Sequence, residues 1–163
     1  MDLTLRRLTD VEPGDIIALM SDPLVRRHMP LARGEFGQAE CATFVDAKEA
    51  LWRDHGYGPW AFVIGDEFAG WGGFQPEDGD ADLGIVLHPR FWGYGRAIAQ
   101  RFLDEGFGTL GFESVIILLP DSRAAAHGIL RLGFTPDGGT EFHGIRFQRF
   151  RIRKEDYGRV ESL

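Results

Sequence analysis

Residues 84–97 read Gly84-Ile85-Val86-Leu87-His88-Pro89-Arg90-Phe91-Trp92-Gly93-Tyr94-Gly95-Arg96-Ala97. An apolar run, Leu83 to Leu87, passes through a short glycine-containing turn directly into a helical pattern. The run is apolar on both faces, which predicts a strand covered on both sides. The helix is expected over about 96–108, with Ala97, Ile98, Phe102, Leu103 and Phe107 inward. Glycines let a backbone approach a bulky anion, and the first N–H groups of the helix can then grip it. The ligand part so implied is a phosphate or diphosphate. The stretch lacks the Gly-Lys-Ser/Thr of a P-loop and a clean Gly-x-Gly-x-x-Gly. Read alone, it is also compatible with a tight strand-to-helix connection that binds nothing.

Working outward, Leu3 to Leu8 can alternate as a strand. Thr9 or Asp10 can cap a helix through about Met20, and Ser21-Asp22-Pro23 restarts the chain as a second capped turn. Residues 30–36 read as a loop and 38–54 as an amphipathic helix that ends at His55-Gly56. Trp60 to Ile64 and Phe68 to Phe74 form a hairpin around Gly65-Asp66, followed by a polar loop from Gln75 to Asp80. Ser114 to Leu119 is a second buried strand. Asp121 or Ser122 can cap a helix stopped by Gly133, and Ile145 to Ile152 alternates as a half-exposed strand. Two early helices, a meander of strands and a strand–helix–strand crossover predict an α/β sandwich with a mixed, mostly antiparallel sheet. The 163 residues suit one domain, 1–163, with no linker.

Residues 89–97 resemble the acyl-CoA diphosphate loop of the GNAT superfamily of N-acetyltransferases, most of all its RimJ/RimL-like branch. The family pattern is Gln or Arg, two residues, Gly, one residue, then Gly or Ala. One register sets Trp92, Gly95 and Ala97 at those places; another starts at Arg90, with Gly93 and Gly95. The first puts the helix start directly after the loop. Leu5-Arg6-Arg7-Leu8-Thr9, Ser21-Asp22-Pro23, His55 to Trp60 and Leu132-Gly133-Phe134 resemble other conserved stretches of the same family. The resemblance therefore spans nearly the whole chain. It implies a splayed strand pair in the sheet and about four helices.

The resemblance also implies roles. Acetyl-CoA is the co-substrate, with its arm along Val86, Leu87 and His88. Its diphosphate falls on the amides of Trp92, Gly93, Tyr94, Gly95, Arg96 and Ala97, with Ser122 a further contact. An N–H near Val86 or Leu87 would face the thioester oxygen. An α-amino group has a pKa of about 7.7–8.0 and lysine about 10.4, so a base is useful. Asp82 stands where the family often has Glu and is the candidate base; its alternative is an exposed strand-start carboxylate beside Asp78 and Asp80. His55 and His88 can titrate, although His88 precedes a proline at a strand end, where packing is expected. Ala125 and Ile129 occupy places where relatives carry a hydroxyl, so no general acid is expected.

The acceptor pocket is expected from the early helices and the hairpin. Trp60, Trp71 and Phe74, with Trp52 and Tyr57 nearby, supply aromatic surface, and Glu77, Asp78, Asp80 and Asp82 supply negative charge. Such a cleft would suit an ammonium group; the alternative is a core of aromatics beside a solvated loop.

The net charge of −7 disfavours a duplex nucleic-acid partner and suits a cationic one, or solubility alone. One cysteine, Cys41, excludes an internal disulfide and a cysteine-based metal cluster, and no metal is expected. Cys41 reads as a small core residue. The chain opens Met-Asp-Leu-Thr-Leu without a basic and then apolar leader, and no apolar run is long enough for a bilayer. A cytoplasmic protein is expected. The alternating strand at 145–152 could be the edge of a homodimer.

The expected activity is transfer of an acetyl group from acetyl-CoA to an amine, a protein N-terminus or a small-molecule amine, by direct attack in a ternary complex. The alternatives are an acyl-CoA-binding module without catalysis, or a nucleotide-binding domain.

Overall fold

A computed structural model describes residues 1–121 and 127–161. The chain forms two compact units, Met1–Gln75 with Ile85–Gly93, and Pro76–Gly84 with Tyr94–Leu163.

In the first unit, strand β1 (Leu3–Arg6) runs antiparallel to β2 (Pro59–Ile64), which pairs antiparallel with β3 (Glu67–Glu77). Helix α1 spans Pro13–Ser21. It starts later than expected because Leu8–Asp10 close a separate 3-10 turn, and Pro13, with φ already suited to a helix, takes the first helical position. Asp22 caps the one-turn helix α2 (Pro23–Arg26), its Oδ1 accepting from Leu24 N–H at 2.8 Å. Helix α3 (Gln38–His55) begins with Glu40 accepting from Gly37 N–H at 3.0 Å and ends at Gly56 in the left-handed conformation (φ 78°). Leu8, Ile16, Met20, Cys41 and Ala61 form the centre of this unit. Cys41 is buried as expected, and burial raises its thiol pKa.

Strand β4 (Asp80–Leu87) follows β3 after two residues, Asp78 (φ 50°) and Gly79 (φ 86°). Asp-Gly with two positive φ angles is a preferred hairpin turn. The polar loop expected over 75–80 therefore shrinks to a dipeptide, and both strands lengthen.

In the second unit β4 pairs parallel to β5 (Ser114–Pro120), with Asp82 opposite Ile116. Among the described residues no other position of this pair is in register. Strand β7 (Ile145–Arg153) lies between β5 and β6 (Thr135–Phe142), antiparallel to both. The strand order is β1-β2-β3-β4-β5-β7-β6. The mixed, mostly antiparallel sheet is as expected, but it has seven strands. The unexpected one, β6, contains Pro136, Gly138 and Gly139, and its register slips between Pro136 and Gly139. Strand β7 is paired on both sides, so the dimer edge expected at 145–152 does not exist there.

Helix α4 (Gly95–Phe107) buries Ile98, Ala99, Phe102, Leu103 and Phe107 along one face. Helix α5 (His127–Arg131) ends at Gly133, where Phe134 N–H reaches back to the Ile129 carbonyl at 3.3 Å. Helix α6 (Lys154–Glu161) lies against α4, with Tyr157 Oη 2.5 Å from Asp104 Oδ1. Six α-helices are described rather than about four: the one-turn α2 and the C-terminal α6 are the additions.

Arg151 ties the second unit together. Its guanidinium donates to both oxygens of Asp80 (2.7 and 3.1 Å), to Asp137 Oδ2 (2.8 Å) and to Ser114 Oγ (2.9 Å). One side chain thus links the starts of β4 and β5 to β6. Hydrogen bonding to Arg151 holds both carboxyl groups below their ordinary value of 3.8. A lowered folded-state pKa gives stability that is present above 3.8 and lost as pH falls below it. Arg151→Met should cost about 1–3 kcal/mol at neutral pH and flatten this acid-side dependence. Urea midpoints at pH 7 and pH 3 measure both; a variant as acid-sensitive as the parent would remove the network from this role.

Candidate functional site

Strand β4 ends in backbone whose groups can be assigned one by one. His88 N–H donates to the Ala69 carbonyl of β3 at 2.8 Å, and the His88 carbonyl accepts from Phe91 N–H at 2.8 Å. Both polar backbone groups of His88 are therefore used within the first unit. Alternate residues of a strand present their backbone groups to the same side. Val86 accordingly faces β3 as well, and a Cβ built on Gly70 would lie 2.1 Å from the Val86 carbonyl oxygen. Ile85 and Leu87 present their N–H and C=O groups away from β3. Of Val86, Leu87 and His88, the residue with its N–H turned outward is Leu87.

Ala69 is the extra residue of a β-bulge. Phe62 pairs with Gly70 and Val63 with Phe68, so Ala69 has no partner on β2. Gly70 lets β3 and β4 approach here, because any side chain would meet the β4 backbone.

Trp92 closes the turn. Its indole N–H donates to the Leu87 carbonyl at 2.9 Å, five residues back, and its ring meets His28 edge-on at 5.7 Å. An indole has one donor, so the side chain at the family's Gln/Arg place has none left for a phosphate oxygen. Trp92 as a whole is 45% exposed. His88 supports the same turn: its Nδ1 accepts from Arg90 N–H at 3.3 Å, which is the packing role expected of it.

Residues 89–94 form one 3-10 stretch, and α4 starts at Gly95, one residue earlier than expected. Gly95, Arg96 and Ala97 are its first turn. The N-cap residue, Tyr94, makes no side-chain capping bond and no acidic residue lies in the first turn, so the positive end of the helix is not offset by a carboxylate from its own turn. Arg96 and Ala97 are exposed. This is a suitable end for an anionic group.

Asp82 is 8% exposed, which makes it a buried carboxylate rather than an exposed strand-start residue. Its neighbour Asp80 is committed to Arg151. Ser122 and Ala125 lie outside the described residues. Ile129, half-buried on α5, offers no proton.

The aromatic candidates separate into two groups. Trp60 stacks edge-on against Trp52 at 4.8 Å, Trp52 N–H donates to the Pro59 carbonyl at 2.9 Å, and Arg7 lies 4.3 Å over the Trp52 ring. Trp71 packs instead against Phe44 at 4.9 Å, with its N–H directed at Met20 Sδ at 3.3 Å. Phe74 is fully enclosed, so it packs the core and presents no surface to an acceptor. Lys48, absent from the sequence expectation, places Nζ 5.1 Å from the Trp71 ring centre and 5.5 Å from that of Phe44. Helical spacing of four links Lys48 to Phe44, but nothing local links either to Trp71.

Residues 2–135 match the profile described as an acetyltransferase (GNAT) domain. The chain belongs to the GNAT acetyltransferase family. A GNAT acetyltransferase from Bacillus anthracis superposes with a TM-score of 0.77 at 19% identity, over 95% of this chain and 96% of that one. An acetyltransferase from Agrobacterium tumefaciens gives 0.76 at 21%, over 93% and 90%. A chimeric spermidine N-acetyltransferase from Vibrio cholerae gives 0.73 at 17%, over 96% and 98%. At these identities the structural likeness speaks for the fold. No helix among the described residues is long and apolar enough to cross a membrane.

In this GNAT chain Trp92→Phe keeps an aromatic ring, smaller than the indole, and removes one hydrogen bond of about 0.5–1.5 kcal/mol. Amide exchange at Phe91 should quicken roughly 2- to 12-fold as the turn opens more often. Hydrogen-exchange NMR reads it directly, and unchanged protection would show that the indole does not hold the turn.

Proposed function

We propose that this GNAT protein is an acetyl-CoA-dependent N-acetyltransferase acting on an amine, in the RimJ/RimL-like branch. The observation that carries the reading is the start of α4, where the N-cap Tyr94 makes no side-chain capping bond and no carboxylate lies in the first turn, in a chain of an acetyltransferase family. The Trp92-Gly93-Tyr94-Gly95 turn supports the branch.

Acetyl-CoA, when bound, supplies an activated acetyl thioester. The chain's own residues do the rest. The amides of Gly95, Arg96 and Ala97 hold the diphosphate, and Ser122 adds a contact. Leu87 N–H, turned away from β3, faces the developing oxyanion. His88 contributes by holding that strand end to the Ala69 carbonyl, Val86 by lying close against Gly70, and Trp92 by closing the turn behind it. Trp92, Gly93 and Tyr94 shape the approach to the helix start.

Asp82 receives the proton that the attacking ammonium must lose, directly or through water. A departing thiol of pKa about 8.5 leaves as thiolate without a donor on the protein. Cys41, buried and with its pKa raised by desolvation, is no nucleophile. The acetyl group therefore passes straight to the amine in a ternary complex. The reading places the protein in the cytoplasm as one catalytic domain, and leaves a homodimer to be formed by a surface other than β7.

Thiol release across a panel of amines, peptide N-termini and polyamines among them, tests the activity. Turnover on some class is expected. Binding of acetyl-CoA with no turnover on any amine would make the protein an acyl-CoA-binding module, and tight ATP binding with none for CoA would end the reading.

Two variants separate cradle from chemistry. Gly95→Val crowds the helix start and should weaken acetyl-CoA binding about tenfold by calorimetry, with the circular dichroism of the parent. Asp82→Asn should lower the rate at neutral pH about 10- to 100-fold and shift the pH profile. An Asp82→Asn profile that overlays the parent's would take this carboxylate out of the mechanism.

A further inference from the structure

Glycine inside a strand costs stability relative to alanine, so each one needs a reason. Other strand glycines of this chain show one. A Cβ on Gly70 would meet the Val86 carbonyl oxygen, one on Gly73 the Gly58 carbonyl oxygen, and one on Gly139 the Phe147 carbonyl oxygen. Gly138 has a φ of 71°, which side chains disfavour. Gly84 has neither reason. Its φ lies outside the left-handed region, and a Cβ built on it would find no described atom within 4 Å. It is also exposed, although β4 is the fourth of seven strands and Ala81, Asp82 and Leu83 just before it are buried. The exposure has a cause in the pairing. Asp82 pairs with Ile116 of β5, and among the described residues Gly84 has no β5 partner.

A strand glycine with open space where its side chain would stand marks a close approach by something outside the fold. Residues two apart in a strand share a face, so this space opens on the side that carries the Asp82 carboxyl group. The parted edge of β4 offers backbone groups; the missing Cβ frees room above the face instead. We propose that Gly84 is a specificity-determining residue that seats the carbon next to the acceptor's nitrogen and admits amines branched at that carbon. The inference rests on the acyltransferase reading, with Asp82 as proton acceptor, and names its acceptor class. Same-face neighbours in a strand stand roughly 6.6 Å apart, so an amine that gives its proton to Asp82 carries its first carbon over Gly84. A straight primary amine places one chain there; a branched one, such as any α-amino group of an amino acid other than glycine, places two. A methyl group at position 84 would take the room that the second one needs.

The test compares isopropylamine with propylamine, isomers that differ in whether the carbon at nitrogen is branched. The parent should release thiol from acetyl-CoA with both. In Gly84→Ala the ratio of kcat/KM, branched over straight, should fall at least about tenfold, and it should fall further in Gly84→Val. Calorimetry should give Gly84→Ala the parent's affinity for acetyl-CoA. Its urea midpoint should equal or exceed the parent's, because an unstrained alanine lowers the freedom of the unfolded chain. An unchanged ratio, or a parent that rejects isopropylamine while using propylamine, overturns the inference. Weakened acetyl-CoA binding would assign the space to the carrier, and a lowered midpoint would show that the fold itself requires glycine; either result overturns it too.

A second readout does not need turnover. Isopropylamine is titrated at constant pH into the protein in excess CoA, which carries no acetyl group to transfer. The Gly84 amide resonance, assigned by its loss in Gly84→Ala, is followed by NMR. It should shift and saturate. No shift removes the seat whatever the turnover. A saturable shift without thiol release from any amine would instead count against the acyltransferase reading alone.

Discussion

The hydrogen bond from His88 N–H to the Ala69 carbonyl sets the geometry of the end of β4. It decides the side to which every backbone group from Ile85 to His88 is turned, because a strand alternates. The bulge at Ala69 makes that carbonyl available by removing it from the β2 ladder, and Gly70 leaves room for the β4 backbone beside it. Only then does the Leu87 N–H face outward. Phe91 N–H on His88 and the Trp92 indole on Leu87 close the following turn. An N–H left outward by a strand that cannot rotate is a preorganised donor, which is where electrostatic catalysis obtains its advantage.

The side chains near the glycine turn are committed within the fold. Trp92 commits its one donor to Leu87, and His88 Nδ1 accepts from Arg90 N–H. Arg90 itself pairs with Glu67 at 2.8 Å. What these residues leave uncommitted at the strand end is backbone. Main-chain donors cost little conformational entropy to hold in place, whereas a long flexible side chain loses rotamer freedom each time it is fixed.

Local signals in the sequence carried most of this. The strand–turn–helix passage at 84–97, the caps at Asp22 and Gly56, and the hairpin at Gly65-Asp66 each depend on neighbours within a few residues. Strand β6 was hidden because Pro136, Gly138 and Gly139 carry the signature of a loop; it is held as a strand by pairing with β7. The Asp78-Gly79 turn was legible in principle, since Asp-Gly between apolar runs is a strong hairpin signal, but the surrounding acidic residues read as a solvated loop. Arg151 could not be found by pattern. Its partners Asp80, Ser114 and Asp137 come from three other strands. Sequence counted Asp80 as free negative charge for an acceptor, whereas the fold uses it to neutralise an arginine.

Lys48 shows the same limit, and more sharply. Charge counted along a chain says that 25 carboxylates exceed 18 basic residues, and that favours cationic partners in general. It says nothing of the Lys48 ammonium lying 5.1 and 5.5 Å from the ring centres of Trp71 and Phe44 and donating to Gln75. Trp71 and Gln75 stand on β3, which only folding brings against α3, and charge interactions fall steeply with distance, so such local placement is invisible to a count.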